Sequence, residues 1–259
     1  MQTVLFDVVE DYIGLLTLNR PQAANAFSVE LLKDLNDCLN QIEKHDHIRV
    51  LIIKGSGEKA FCAGADLKER EKMSDDKVVE TVKRIKETIH RIESLPIPVI
   101  ASINGAAFGG GLELALACDI RIASTQALLG LTETSLGIIP GAGGTQRLAR
   151  LIGPGKAKYL IFTARRLTAE EAYKYGIIER IADRNKLVET VLAEASIIAE
   201  NGPIGVQQAK EAIQSGLNTD LKSGLEIEEQ CYKKTIPTQD RIEGIKAFKE
   251  KRKPHYKGK

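Results

Sequence analysis

The sequence predicts an α/β fold that gives way to a helical C-terminal region, and three patterns carry that expectation. Short aliphatic runs alternate with helix-spaced apolar residues as far as about residue 180, the order of βα units rather than of segregated sheets and helices. The run Val50-Leu51-Ile52-Ile53 is apolar at consecutive positions, as in a short buried strand. Beyond residue 180, helical spacing dominates.

Residues 3–9 and 12–18 read as two strands joined at Glu10-Asp11, and Asn19-Arg20-Pro21 breaks the pattern. Ser28 can then cap a helix whose Leu31, Leu32, Leu35, Leu39 and Ile42 share one face. The strand at Val50–Ile53 stops at Gly55-Ser56-Gly57, and Val78, Val82, Ile85, Ile89 and Ile92 mark a second amphipathic helix. Residues 98–103 form a strand that feeds a glycine turn and the helix carrying Glu113. Leu187, Val188, Val191, Leu192 and Ala195 give one more helical face, and Asn201-Gly202-Pro203 ends that helix and begins the next. Two further helices are expected over 220–235 and 239–252. The expected organisation is a core over residues 1–199 and a helical, oligomerising region over 200–259.

At 259 residues, 43% hydrophobic and 28% charged, the chain has the composition of an ordinary globular protein with one substantial core. No apolar run approaches the roughly 20 residues of a membrane span, so no membrane partner is expected. The N-terminus enters a strand pattern directly, without a basic or Arg/Ser-rich presequence, which makes a cytoplasmic location the expectation. Cys38, Cys62, Cys118 and Cys231 are scattered and read as reduced, mostly buried thiols. His45, His47, His90 and His255 form no recognisable ligand set, and no metal cofactor is expected. Residues 241–259 hold eight Lys/Arg against Glu243 and Glu250, a local +6 within a total of +2. Both a solvated helix end and a phosphate site fit that tail.

Two glutamates stand in apolar surroundings. Glu113 lies within Gly109-Gly110-Gly111-Leu112-Glu113-Leu114-Ala115-Leu116-Ala117-Cys118, and Glu133 lies between Leu128-Leu129-Gly130-Leu131-Thr132 and Leu136-Gly137-Ile138-Ile139-Pro140. A carboxylate short of water has a raised pKa and can serve as acid or base near neutrality. The alternatives are a buried structural carboxylate paired with a cation for Glu113, and an exposed first-turn glutamate for Glu133.

Three small-residue loops accompany them. Asn104–Gly111 links a strand to a helix, and its glycines can bring bare N–H groups to a phosphate or an oxyanion, or else allow close strand–helix packing. It matches neither a Walker A loop nor a G-x-G-x-x-G fingerprint. Ala60–Leu67 follows a strand and could supply a second amide to the same oxygen. Ile138–Arg147 opens a helix with glycines, suited either to an anion or to packing.

Taken in order, Asn19-Arg20-Pro21, Phe61-Cys62-Ala63-Gly64-Ala65-Asp66-Leu67, Asn104-Gly105, Gly109–Glu113 and Gly137–Thr145 resemble the enoyl-CoA hydratase (crotonase) family, over essentially the whole chain. The resemblance implies a spiral of ββα units with a C-terminal helical region for trimerisation, assembled as a homotrimer or a homohexamer. It implies an acyl-CoA thioester as substrate, with CoA part of that substrate and no separate cofactor. Ala65 and Gly110 would donate backbone N–H groups to the thioester oxygen, Glu113 would activate the attacking water, and Glu133 would exchange the α-carbon proton. Ala63, Asp66, Leu67 and Lys68 would border the substrate, while Phe248 and Lys251 would reach the CoA of a neighbouring subunit. Isomerases and dehalogenases of the family tend to lack one or both glutamates, and several members carry an acid at the position of Gly141. Both glutamates are present here and Gly141 has no side chain, which favours water addition.

Within that family, Cys62–Arg70 with Met73-Ser74, Gly111–Arg121, and Thr235–Arg241 with His255–Gly258 are similar to the hydratases of 3-methylglutaconyl-CoA, which act in leucine breakdown. That substrate has a distal carboxylate, for which Lys68 and Arg70 are the candidate cations. A general short-chain enoyl-CoA hydratase of fatty-acid oxidation, and a non-catalytic RNA-binding protein on the same scaffold, are the alternatives. Specific RNA binding through the first long helix is not expected, because residues 28–45 hold Lys33 and Lys44 against Glu30, Asp34, Asp37 and Glu43.

Overall fold

A computed structural model describes residues 2–259. The chain opens with β1 (Val4–Glu10) and β2 (Ile13–Leu18), an antiparallel pair joined at Asp11-Tyr12, where Tyr12 is left-handed and lies 3.7 Å beneath the Arg49 guanidinium. α1 (Val29–Ile42) starts at Ser28, whose hydroxyl accepts from the Leu31 N–H at 3.0 Å, and all five apolar residues expected on its inner face are buried. Next come β3 (Val50–Gly55), β4 (Ala60–Cys62), the single turn α2 (Leu67–Arg70) and α3 (Asp75–Glu93). They are followed by β5 (Val99–Ile103), β6 (Ala106–Phe108) and α4 (Gly110–Ala117), then by β7 (Ile120–Ser124), β8 (Leu128–Gly130), a 3-10 turn at Glu133–Leu136 and α5 (Gly144–Ile152). α6 (Pro154–Phe162), β9 (Leu167–Thr168), α7 (Ala169–Tyr175) and β10 (Arg180–Ala182) lead to α8 (Leu187–Ala199), α9 (Pro203–Gly216), α10 (Leu221–Thr235) and α11 (Gln239–Glu250).

Two sheets share these strands. The larger runs β1-β2-β3-β5-β7-β10 and is parallel from β2 onward; the smaller runs β4-β6-β8-β9, with only β9 antiparallel. Three times in succession a strand of the larger sheet is followed by one of the smaller and then by a helix, which is the spiral of ββα units. The apolar run in β3 follows from burial on both faces. Leu51 and Ile53 point into the main core with α1 and α3, whereas Val50 and Ile52 meet Leu187, Val191 and Ala195 of α8. Val188, expected on that helical face, is exposed instead.

The stripe on α3 divides. Ile85, Ile89 and Ile92 are core, but Val78 and Val82 are half-buried and line a cleft. The last helix is two residues shorter than expected, because Lys251 is left-handed (φ 54°) and its N–H closes the final turn. Lys210 of α9 is buried and ties the C-terminal helices to the core, donating to the Ile97 carbonyl at 2.9 Å and pairing with Asp119 at 2.8 Å. All four cysteines are free and buried. Among the described residues, no helix is long and apolar enough to cross a membrane.

α4 meets β4 backbone to backbone. A Cβ on Gly111 would lie 1.9 Å from the Cys62 carbonyl oxygen, so only glycine lets the helix seat there. Gly111→Ala should lower stability by about 1–3 kcal/mol or more, read as a drop in thermal midpoint of several degrees; an unchanged midpoint would show that the seat is not tight.

Candidate active site

Three loops meet above the N-terminus of α4. That helix is built from strong helix formers and is buried from Gly111 to Ala117, Glu113 included at 2% exposure. Its first amide, Gly110, has no backbone acceptor, as expected at a helix N-terminus. The loop after β4 arrives alongside, in contact through Gly64. Gly64 has φ 88°, and a Cβ there would sit 2.9 Å from the Phe108 carbonyl and 3.0 Å from the Gly110 nitrogen. The Phe27 N–H is bonded to the Gly64 carbonyl and the Asp66 N–H to the Phe27 carbonyl, which fixes the peptides on either side of Ala65. Ala65 N–H, like Gly110 N–H, has no acceptor among the described residues. Both residues line one cleft of about 730 Å³.

Glu113 and Glu133 line the same cleft. Glu113 is held by the third loop: its Oε1 accepts from Ala142 N at 2.8 Å and Gly144 N at 2.7 Å. The glycine-opened N-terminus of α5 therefore does bind an anion, and that anion is the protein's own carboxylate. Burial pushes the Glu113 carboxyl up, and the two amides and the Arg147 cation oppose the rise without cancelling it.

Glu133 is treated differently. It opens the 3-10 turn, and its Oε2 is buried with no hydrogen-bond partner among the described residues. Burial pushes its carboxyl up to about 7; its own backbone N–H opposes this, and the nearby Glu113 charge adds to it. The two carboxyls are thus unequal. Near neutral pH the amide-bonded one carries charge more readily, and the unpartnered one, at about 7, is divided between its two forms and can give up a proton.

Of the other residues singled out in the sequence, Ala63 and Leu67 line the cleft. Asp66 belongs to the loop, but its carboxylate is spent on structure: one oxygen caps α2 through Lys68 N and Glu69 N, and the other pairs with Arg20 at 2.9 Å. Lys68 is exposed and is not part of the cleft wall, whereas Arg70, two residues on and so on the opposite face of the turn, is. Phe248 (86% exposed) and Lys251 lie at the end of α11, outside this cleft of the same protomer. Both acids of the basic tail are taken by Arg252, which pairs with Glu243 at 2.6 Å and Glu250 at 2.7 Å.

Sequence reasoning missed Arg166, which lines the cleft with its guanidinium 4.9 Å from the Phe108 ring centre. An arginine pair ahead of a two-residue strand gives no periodic signal that would single it out. Among the described residues, no group of three His, Cys, Asp or Glu side chains is arranged to hold a metal ion.

The model of the enoyl-CoA hydratase/isomerase family matches residues 9–259. A Bacillus subtilis (strain 168) protein, YngF, provisionally named as an enoyl-CoA hydratase/isomerase, is 56% identical over 99% of this chain and 98% of its own. Human mitochondrial methylglutaconyl-CoA hydratase is 48% identical over 95% of this chain and 74% of its own. The crystal structure of an enoyl-CoA hydratase from Bacillus anthracis superposes with a TM-score of 0.98 at 53% identity, covering all of both chains.

The Glu133 environment has a consequence for stability. A carboxyl raised from an unfolded value of about 4.3 to about 7 binds more protons folded than unfolded. Its contribution is therefore favourable at low pH and is lost as pH rises through that window. Glu133→Gln should be stabilised relative to wild type at about pH 8 and much less so at about pH 5, as read by thermal midpoints. Equal differences at both pH values would place the proton elsewhere.

Proposed function

Because this chain belongs to the enoyl-CoA hydratase/isomerase family of enzymes, we propose that it is a hydratase, adding water reversibly across the α,β double bond of an enoyl-CoA thioester, with 3-methylglutaconyl-CoA as its substrate. One observation carries the reaction: two carboxyls, one bonded by two amides and one with an unpartnered oxygen, share a cleft with two unpaired amides.

In this mechanism the thioester oxygen accepts hydrogen bonds from Ala65 N–H and Gly110 N–H. Ionised Glu113 takes a proton from water as the water oxygen bonds to C3. The electron pair of the C2–C3 double bond moves onto the thioester oxygen as an enolate, which the two amides and the α4 N-terminus stabilise. Protonated Glu133 then delivers its proton to C2, and the carbonyl re-forms. Water is consumed, and the two glutamates exchange roles until protons re-equilibrate with solvent.

For the acyl group, α3 supplies an apolar wall with Val78, Val82 and Ile85, and Arg70 supplies a half-buried cation beside it. We assign Arg70 rather than Lys68 to the distal carboxylate of a diacid thioester. Phe248 and Lys251 serve the CoA nucleotide of a neighbouring subunit in a trimer or dimer of trimers. The exposure of Ile213 on α9, Leu217 just past its end and Leu221 on α10 supports that assembly. A cytoplasmic setting is part of the same reading and rests on the bacterial relative alone.

Loss of the enoyl-thioester absorbance, followed with 3-methylglutaconyl-CoA and crotonyl-CoA in parallel, tests the reaction. Wild type should prefer the branched diacid, and Glu113→Gln should lower kcat by about 10²–10⁴-fold on both. Preference for crotonyl-CoA would move the enzyme to fatty-acid oxidation. RNA binding without hydration would remove the hydratase reading altogether. Arg70→Met should raise KM for the diacid thioester by on the order of tenfold or more while moving that for crotonyl-CoA far less; equal changes would refute the carboxylate role.

A further inference from the structure

We propose that Arg147, clamped by Glu93, is the positioning residue that sets Glu113. It holds the Ala142–Gly144 backbone so that two amides meet that carboxylate. The inference rests on Glu113 being the base that activates water.

Arg147 folds back from α5 over Gly143. Its Nε and Nη2 each reach one Glu93 oxygen at 2.7 Å, the bidentate arrangement that a guanidinium fork favours. Its Nη1 donates to the Ala142 carbonyl at 2.9 Å. The N–H groups of Ala142 and Gly144 lie on the other side of the same short segment, both on Glu113 Oε1. The segment is gripped from outside by a cation and from inside by a carboxylate. Its middle residue, Gly143, is left-handed at φ 107°, and its carbonyl accepts the first amides of α5, from Gln146 at 3.0 Å and Arg147 at 2.9 Å.

Glu93 is itself fixed at the end of α3. Its backbone carbonyl accepts from Gln214 of α9 at 3.2 Å, and its Oε2 lies 3.1 Å from His90 Nδ1. With side-chain exposures of 16% and 30%, the Arg147–Glu93 pair is sheltered enough to hold a geometry that an open surface pair would not. Arg147 does not line the cleft, so it acts through the loop and not on substrate.

The charge matters as well as the shape. The charged groups facing Glu113 are Glu133 from the 3-10 turn and Arg147 from α5, with Glu93 of α3 behind it. β4 brings only the Cys62 thiol, kept neutral by burial that pushes it to about 12, and β6 brings none. Arg147 is thus the cation that favours ionised Glu113.

The test uses the full chain labelled with [δ-13C]glutamate, the Glu113 signal being identified by its loss in Glu113→Gln. Its titration is followed beside kcat and KM for crotonyl-CoA. In Arg147→Met, the Glu113 midpoint should move upward and kcat should fall about 10- to 100-fold with KM little changed. Arg147→Lys restores the charge without the fork, so the midpoint should return toward wild type while kcat recovers only in part. A folded Arg147→Met in which Glu113 titrates as in wild type would overturn the proposal. Should Arg147→Met not fold, wild-type kcat in both Arg147→Lys and Glu93→Gln would overturn it equally. If wild type hydrates neither thioester, the hydratase reading fails on its own, and the Glu113 titration still decides whether Arg147 sets that carboxyl.

Discussion

The site depends on how closely α4 can approach β4. The Cys62 carbonyl occupies the space where any side chain at Gly111 would begin, so helix and strand touch through backbone alone. That contact brings the N-terminus of α4 beside the loop that follows β4, with Gly64 and Gly110 nearly in contact. It also fixes where the first turn of the helix points Glu113. A larger residue at the seat would displace an amide, a helix dipole and a carboxylate together. The glycines of this segment are therefore both packing residues and site residues, and the two explanations open for them in the sequence are one explanation in space.

Polar satisfaction then separates two chemically identical side chains. Glu113 is almost wholly buried, yet one of its oxygens has two amide donors; Glu133 is less buried, yet one of its oxygens has none. Desolvation raises both carboxyls, and hydrogen bonds to the charged form pull only Glu113 back effectively. Proximity of the two charges widens the difference. A cleft that must hold one base and one acid at the same pH can obtain both from glutamate because their donors differ.

The spiral explains why these parts come from distant stretches of sequence. Each ββα turn returns the chain to the same end of the smaller sheet, so the loops after β4, β6 and β8 converge. α3 crosses from one function to another along its length: its first half walls the cleft with Val78 and Val82, its middle packs into the core, and its last residue, Glu93, braces the α5 loop through Arg147. α9 reaches the same point through Gln214 and is locked to the core by buried Lys210.

The elements that were legible in the sequence each obey a local rule, whereas the short strands β6, β8, β9 and β10 and the helices α6 and α7 gave no such signal. Short aliphatic runs marked β2, β3 and β5, and helical spacing with Ser28 marked α1. Asn201-Gly202-Pro203 marked the break before α9. The two glutamates stood out because charge in an apolar context is costly wherever it falls. Tertiary structure alone decided what each carboxylate bonds to. It showed that the third glycine loop receives Glu113 rather than an outside anion, that Asp66 is spent on Arg20 and a helix cap, and that Arg70 rather than Lys68 borders the cleft. It also split the α3 stripe between core and cleft and exposed Arg166 and Arg147 as neighbours of the site. The reason is physical. Periodicity and capping are set by residues within a few positions of one another, whereas desolvation, hydrogen-bond partners and cleft walls depend on groups tens of residues apart, brought together only when the sheets close.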